Sequence, residues 1–509
     1  MTFIAERNDS ISQAEEARKG DNLDAKTNPE AGAANGDPAC STDDTTPFSI
    51  YTKGQKLCII LLVSFAATFS GFASNIYFPS IPTIASDLSS SIELINLTVT
   101  GYLIFQGLSP TLWGAVSDTY GRRITYICTF VIFIAACIGL AETKNYAQLL
   151  VLRCLQSTGS ASTIAIGAGV VGDVTTREER GGYMGYFQAG LLLPVAFGPL
   201  IGGALASSLG WRAIFWFLAI YAITFLVVLV ALLPETLRSL VGNGSVMPPK
   251  YAVSLVSVFI RKQGVEPASG SMTSRKSINV LGSIAILVER RAIISITFVG
   301  VYYMVWQMLV TALSSIFQET YNMSDLQVGL VYLANGVGCI LGTLTTGKLL
   351  DADYRRWKKR FAQPDMEFSL ERVRLRMMLF YGPVQCVAVL VFGWVVDKEV
   401  HVSVSIICLF FVGWAATSIQ SIVSTFLVDL YPDRSASATA ALNIIRCLLG
   451  AGGTAAVSPC VRAIGVGWTF TIFAGIMVLG GALMVSISLM VSSVQSPPRS
   501  YSDESIQYQ

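Results

Sequence analysis

The sequence predicts an all-α membrane protein of twelve transmembrane helices in two six-helix bundles. Three observations predict it. Charged residues make up 13% of the 509 residues and hydrophobic ones 52%, whereas soluble domains carry about 25% charge; so little charge cannot cover a water-exposed surface. Apolar residues come in blocks of roughly 20, the length a helix needs to cross the hydrocarbon core. A polar motif with a Gly, an Asp and an Arg pair recurs once in each half. Together these exclude a soluble enzyme, a secreted disulfide scaffold and a disordered chain. The single histidine, His401, argues against a histidine-based metal or catalytic centre. The ten cysteines have no zinc-site spacing; all but Cys40 lie in apolar segments, where they read as small fillers. No metal, cofactor or nucleic-acid partner is expected, and no catalytic constellation is visible.

Residues 1–56 are polar with no apolar run, which predicts a disordered cytoplasmic tail. No secretory signal peptide is visible, so the first apolar run, from Leu57, reads as a retained signal anchor. The apolar segments fall near 57–78, 93–115, 124–141, 147–171, 183–206 and 213–233, then 292–316, 326–347, 377–396, 402–424, 436–460 and 467–492. The predicted units are therefore an N-terminal bundle (57–233), a cytoplasmic linker (234–291), a C-terminal bundle (292–492) and a short tail (493–509). The linker's Gly, Ser, Pro and basic content suits a flexible connection.

Lys and Arg placement predicts orientation. With the N-terminus in the cytoplasm, the inner side holds Arg122, Arg123, Arg177, Arg180, eight basic residues in 234–291 and nine in 348–376. Lys53, Lys56, Arg434 and Arg499 bring that side to 25, against four outside: Lys144, Arg212, Lys398 and Arg462. Both termini are expected in the cytoplasm. The repeat supports two related halves: Gly114, Asp118, Arg122 and Arg123 follow the second segment, and Gly347, Asp351, Arg355 and Arg356 follow the eighth, each 233 residues on. Tyr354 stands where the first copy has Gly121. Parallel six-helix halves joined by a linker are one known transporter architecture.

On these residues the chain resembles the major facilitator superfamily over nearly all of 50–495. Gly114 to Arg123 is similar to its signature loop between helices 2 and 3. Arg153-Cys-Leu-Gln156-Ser157-Thr-Gly159 resembles its R-x-x-Q-G-x-G element, with Ser157 for the first Gly. Gly198-Pro199-Leu-Ile-Gly202-Gly203 resembles the antiporter motif G-P-x-x-G-G. Gly210-Trp211-Arg212 and Pro234-Glu235-Thr236-Leu237-Arg238 resemble the fungal twelve-helix drug:proton antiporter family. Leu427-Val-Asp429-Leu-Tyr431-Pro432 and Asn443-Ile-Ile-Arg446-Cys447 resemble its branch of quinidine-resistance, dityrosine and citrate exporters. The resemblance implies a monomeric plasma-membrane exporter working by alternating access. It also implies gating roles for Gly114, Asp118, Gly121, Arg122, Pro194, Gly198, Pro199 and Gly202. Asp118 has two possible partners, its own Arg pair or the N-terminus of a facing helix; the resemblance implies the second, near Ser435, when the protein opens outward. Pro194 and Pro199 interrupt backbone hydrogen bonding in the fifth segment and bend it, while its glycines permit close helix contact.

Arg153 and Arg446 are the only basic residues deep within apolar segments. A buried Arg costs on the order of 3 kcal/mol on insertion scales, so each is expected to face a cavity or a partner. Each shares a helical face with an amide three residues away, Gln156 and Asn443. With Gln188 and Gln307 these form the candidate substrate-binding set. No Asp or Glu falls in the middle of a segment; Glu93, Asp173, Glu319, Asp325 and Asp429 lie near the ends. A cationic-drug site needs a deep carboxylate, whereas two deep arginines suit an organic anion. The expected solute is a small organic acid such as citrate, with a drug or polyamine:proton antiporter as the alternative. In this family helices 1, 4, 7 and 10 line the pathway, and here those segments carry Ser64, Thr68, Asn75, Ser160, Thr163, Tyr302, Tyr303, Thr311, Thr417 and Gln420.

Overall fold

The computed structural model describes residues 48–176, 179–248, 252–254, 286–360, 377–431 and 435–494. The expected tails up to residue 47 and beyond 494, the linker centre, and the side chains of the second motif copy from Asp351 on lie outside the described residues.

Every long element is a helix. Thr52 starts α1 (Lys53–Asn75) with a capping box: its hydroxyl accepts from Gln55 N, and Gln55 Oε1 accepts from Thr52 N. A 3₁₀ turn (Phe78–Ser80) and a short helix (Ile81–Asp87) follow, each with a proline at its start. Ser91 caps α2 (Ile92–Tyr120) and Asn145 caps α4 (Tyr146–Val174). Between them, α3 (Arg122–Ala141) follows α2 after a single residue, Gly121, at φ 112°, a conformation that excludes other side chains. Next come α5 (Arg180–Leu209), which contains Pro194 and Pro199, and α6 (Arg212–Leu232). The second half contains α7 (Arg290–Tyr321), α8 (Asp325–Arg360), α9 (Met378–Asp397) and α10 (Val402–Leu430). A last helical run, Ser435–Val494, is broken at Gly465 (φ 80°) into α11 (435–464) and α12 (466–494).

Twelve long helices are thus present among the described residues, the number the apolar segments predict. Several run beyond those segments. The eighth segment ends near 347 but α8 continues to Arg360, and the tenth ends near 424 but α10 continues to Leu430. Apolarity marks only the part of a helix in hydrocarbon; its internal hydrogen bonding continues into the polar layer. Among the described residues ten helical stretches are long and apolar enough to cross a membrane, the last covering α11 and α12 together; α2 is not among them, although the sequence marks 93–115 as an apolar segment. This helix carries Asn96, Thr98, Thr100, Gln106 and Ser109, and it packs against α11 of the other half as well as α4 of its own.

Within the first half α1 packs on α4 and α5, and α3 on α4 and α6; within the second, α7 packs on α11–α12, α8 on α10, and α9 on α10 and α11–α12. The halves meet along two seams, α5 with α8 and α2 with α11. A ring cluster centred on Phe69, stacked on Tyr221 at 4.3 Å and edge-on to Phe130 at 5.0 Å, fills the first half.

Candidate functional site

The two deep arginines have different surroundings. Arg153 on α4 is 0% exposed. Its guanidinium lies between two rings, 4.2 Å from the centroid of Tyr77 and 4.5 Å from that of Tyr102. Its Nη1 donates to the Ala73 carbonyl (3.0 Å) and to Gln156 Oε1 (2.7 Å). Gln156 in turn donates to Cys137 Sγ. Arg153 Nε and Nη2 are buried without a hydrogen-bond partner. A desolvated cation–π contact contributes about 2 kcal/mol, so two rings offset much of the burial cost in place of a counter-ion. Arg153 therefore pins α4 to α2 and the end of α1, closed off from any open space.

Arg446 on α11 is half-buried. Nη2 donates to Asn443 Oδ1 (2.7 Å), and the guanidinium lies 4.7 Å from the ring centroid of Tyr303 on α7. Asn443 Nδ2 donates to the Gln106 carbonyl of α2 (3.2 Å), a bond between the halves. A Cβ on Gly450 would lie 3.0 Å from Tyr303 and 3.8 Å from Gln307. Gln307 is 4% exposed, with Nε2 unpartnered. Arg446 thus sits between Asn443 and Tyr303, with Gln307 one turn further along α7 against Gly450, and no acidic side chain is bonded to it among the described residues.

The halves touch from this level toward the end that carries Asp87 and Asp325. Asn96 donates to Ser458 Oγ (2.7 Å), Thr100 to the Ala451 carbonyl (3.4 Å), and Arg462 pairs with Glu93 (2.7 Å). Along the other seam, Gly203 meets the Asp325 carbonyl, Gly329 the Pro199 carbonyl and Gly336 the backbone of Ala196. Toward the opposite, basic end Gly114, Gly182, Gly185 and Gly347 on the seam helices have open space where a side chain would project, so among the described residues the two seams do not continue there. Gln188, two turns before Ala196 on α5, is exposed. The structure brings Asn443 and Arg446 together, sets Gln307 one helical turn away against Gly450, places Arg153 and Gln156 in the interior of the first half, and leaves Gln188 in neither group.

The residues of the helix 5 motif divide between partners. Pro194 packs on Gly71, and Gly198 on Asn75 Cβ (3.3 Å from its would-be Cβ). Gly202 meets the Ile76 carbonyl, so these three seat α5 on α1, whereas Pro199 and Gly203 face α8. At the basic end Asp118, 57% exposed, pairs with Arg122 (2.6 Å), the first of its two possible partners. Arg122 also pairs with Asp173 on α4 (2.9 Å) and donates to Ser117 Oγ. Glu235 is 2% exposed and accepts from four backbone N–H groups: Arg122 (2.8 Å), Arg123 (3.2 Å), Thr236 and Leu237 (both 3.0 Å). A carboxylate thus caps the N-terminus of α3 where its dipole favours negative charge. The guanidinium of Arg123 donates to the Val230 and Leu233 carbonyls at the end of α6. Nearby, the Lys56 ammonium bonds Glu179 (2.8 Å) and holds its carboxyl below the usual carboxylate range.

This architecture has relatives. The family model described as "Major Facilitator Superfamily" matches residues 63–454. The chain belongs to the Major Facilitator Superfamily. Citrate exporter 1 of Aspergillus niger is 39% identical over 457 residues, covering 86% of each chain. The MFS antiporter QDR2 of Candida albicans is 34% identical over 449 residues, covering 86% of this chain and 89% of its own. The crystal structure of a D-xylose-proton symporter superposes with a TM-score of 0.63 at 15% identity, over 84% of this chain and 96% of that one; it shows the same fold.

As a member of the superfamily the protein is a multi-pass membrane transporter of a small molecule, and not an enzyme. Several of its polar residues escaped the reading of the sequence. Tyr77 and Tyr102 were invisible as partners of Arg153, since nothing in the spacing of an aromatic residue announces a cation. Glu235 carried only a family resemblance, although an acid just beyond a helix end is a cue for a cap. Most of the Ser and Thr expected along the pathway instead bond backbone carbonyls: Ser64 to Phe187, Thr163 to Ser160 and Thr417 to Cys339.

Proposed function

We propose that the protein exports small organic anions, citrate or a related carboxylate, across the plasma membrane by alternating access, acting as a monomer with both termini in the cytoplasm. In that orientation the basic end faces the cytoplasm, and the structure corresponds to the inward-open member of the cycle. One observation carries the reading: Arg446 is a deep guanidinium, half-buried at the seam between the halves, with no carboxylate bonded to it among the described residues. Its unused donors match a carboxylate in the two-pronged geometry that a planar fork offers. The name of the Aspergillus niger relative supports the same solute. Asn443, Tyr303 and Gln307 surround the anion, and Arg153 holds the frame.

The test is export from cells expressing single variants, with surface abundance measured in parallel. Arg446→Gln should lower extracellular citrate at least about tenfold, the loss of a charge-assisted pair. Arg446→Lys should restore only part, because it keeps the charge but not the fork. Resistance to quinidine-like cations through the wild-type protein, with extracellular acids unchanged, would instead establish the drug antiporter reading; the name of the Candida albicans relative supports antiport.

A further inference from the structure

Asp325 begins α8 at the end opposite the basic motif, and its carboxylate ties the two halves together. Thr83, on the short helix Ile81–Asp87 of the first half, directs its hydroxyl at both oxygens (3.1 and 2.9 Å). Gln318 on α7 donates its amide to Oδ1 at 2.6 Å, and the same amide lies 3.4 Å from the Pro79 carbonyl of the first half. The backbone carbonyl of Asp325 rests on Gly203 of α5. Elements of both halves therefore converge on one side chain.

Each of these donors is neutral. The other charged or titratable groups on the surrounding elements are committed elsewhere or point away. Asp87, on the short helix, is held by Arg212 (2.7 Å) and Trp211 (3.1 Å). On α7, Glu319 is exposed and the Tyr321 hydroxyl donates to the Val400 carbonyl (2.7 Å). The α5 residues beside Gly203 are uncharged. No cation pairs with Asp325 among the described residues. Such a carboxylate holds two donors firmly only while ionised, because charge-assisted hydrogen bonds are about twice as strong as neutral ones. A proton on it removes the charge and with it the charge-assisted part of the bonds from Thr83 and Gln318.

We propose that Asp325 is a proton-binding site that locks this seam. Ionised, it holds the halves together at this end; protonated from the solution on this side, it releases them. The inference rests on the transport and orientation proposed above, and it deepens them by naming the group through which external acid reaches the cycle. It also assigns a proton-responsive carboxylate to a chain whose helix centres have none.

The test uses the full-length protein in intact cells with Thr100→Cys as reporter, since Thr100 lies in the α2–α11 seam against the Ala451 carbonyl. A membrane-impermeant thiol reagent is applied from outside, and labelling of that peptide is read by mass spectrometry. It is normalised to Lys398→Cys, an exposed position after α9, which removes the reagent's own pH dependence. Lowering external pH from about 7.5 to about 4.5 spans ordinary carboxylate titration. Normalised labelling should rise about fivefold, the worth of one charge-assisted bond made neutral. Asp325→Asn, nearly the same size, should label strongly at both pH values, Asp325→Glu should keep a pH response, and Thr83→Val should raise labelling at the higher pH. A pH response that survives in Asp325→Asn, or an Asp325→Asn protein as closed as the wild type, overturns the lock. Labelling confined to inside-out vesicles would overturn the orientation, and loss of the pH response in Asp325→Asn would then still uphold the lock.

Discussion

Gly336→Ala tests whether the α5–α8 seam sets the balance between conformers. A Cβ at Gly336 would lie 2.7 Å from Ala196 Cβ and 2.8 Å from Ala196 N, and nearer still to Ala196 Cα. These are backbone and first side-chain atoms, which cannot swing aside, so the helices must separate. Overpacking of this kind costs about 1–3 kcal/mol. The cost falls only on the conformer in which the halves touch here, because the atoms that Gly336 meets belong to the other half. A bias of that size shifts a two-state population by about 5- to 150-fold. The prediction is a protein of normal abundance that dwells with this end open. Ser458→Cys, at the hydroxyl that accepts from Asn96, should label faster from outside in the Gly336→Ala background, and initial export should slow by a similar factor. Wild-type labelling together with wild-type export would refute the argument that this contact closes the seam.

Three further outcomes follow from the same geometry. Asp118→Asn removes the ion pair with Arg122 from an exposed position, so export should fall while surface abundance stays near normal; unchanged transport would remove Asp118 from the gate. Glu235→Ala deprives four backbone N–H groups of their acceptor, which should cost about 3 kcal/mol and appear as reduced abundance and a lower melting temperature in detergent, with Glu235→Gln intermediate. Reporter fusions at Ser245 and at the C-terminus should both report cytoplasm, and a C-terminal fusion reporting the outside would break the orientation.

The sequence by itself determined that this chain crosses a membrane about twelve times. Hydropathy and segment length are properties of one helix in lipid, readable without knowing its neighbours. The repeat of Gly114, Asp118 and Arg122 near Gly347 likewise announced two related halves, and their place deep within apolar segments picked out Arg153 and Arg446 as costly in hydrocarbon. The tertiary structure decided what satisfies each of them. Arg153 is closed between Tyr77 and Tyr102, and Arg446 is left half-open beside Tyr303. Glu235 reaches back to the start of α3, and Thr83 reaches across to Asp325. In each case the partner lies dozens to hundreds of residues away in the chain. A buried polar group must be paired, but one-dimensional spacing carries no record of which distant side chain or carbonyl the packing of helices will bring to it.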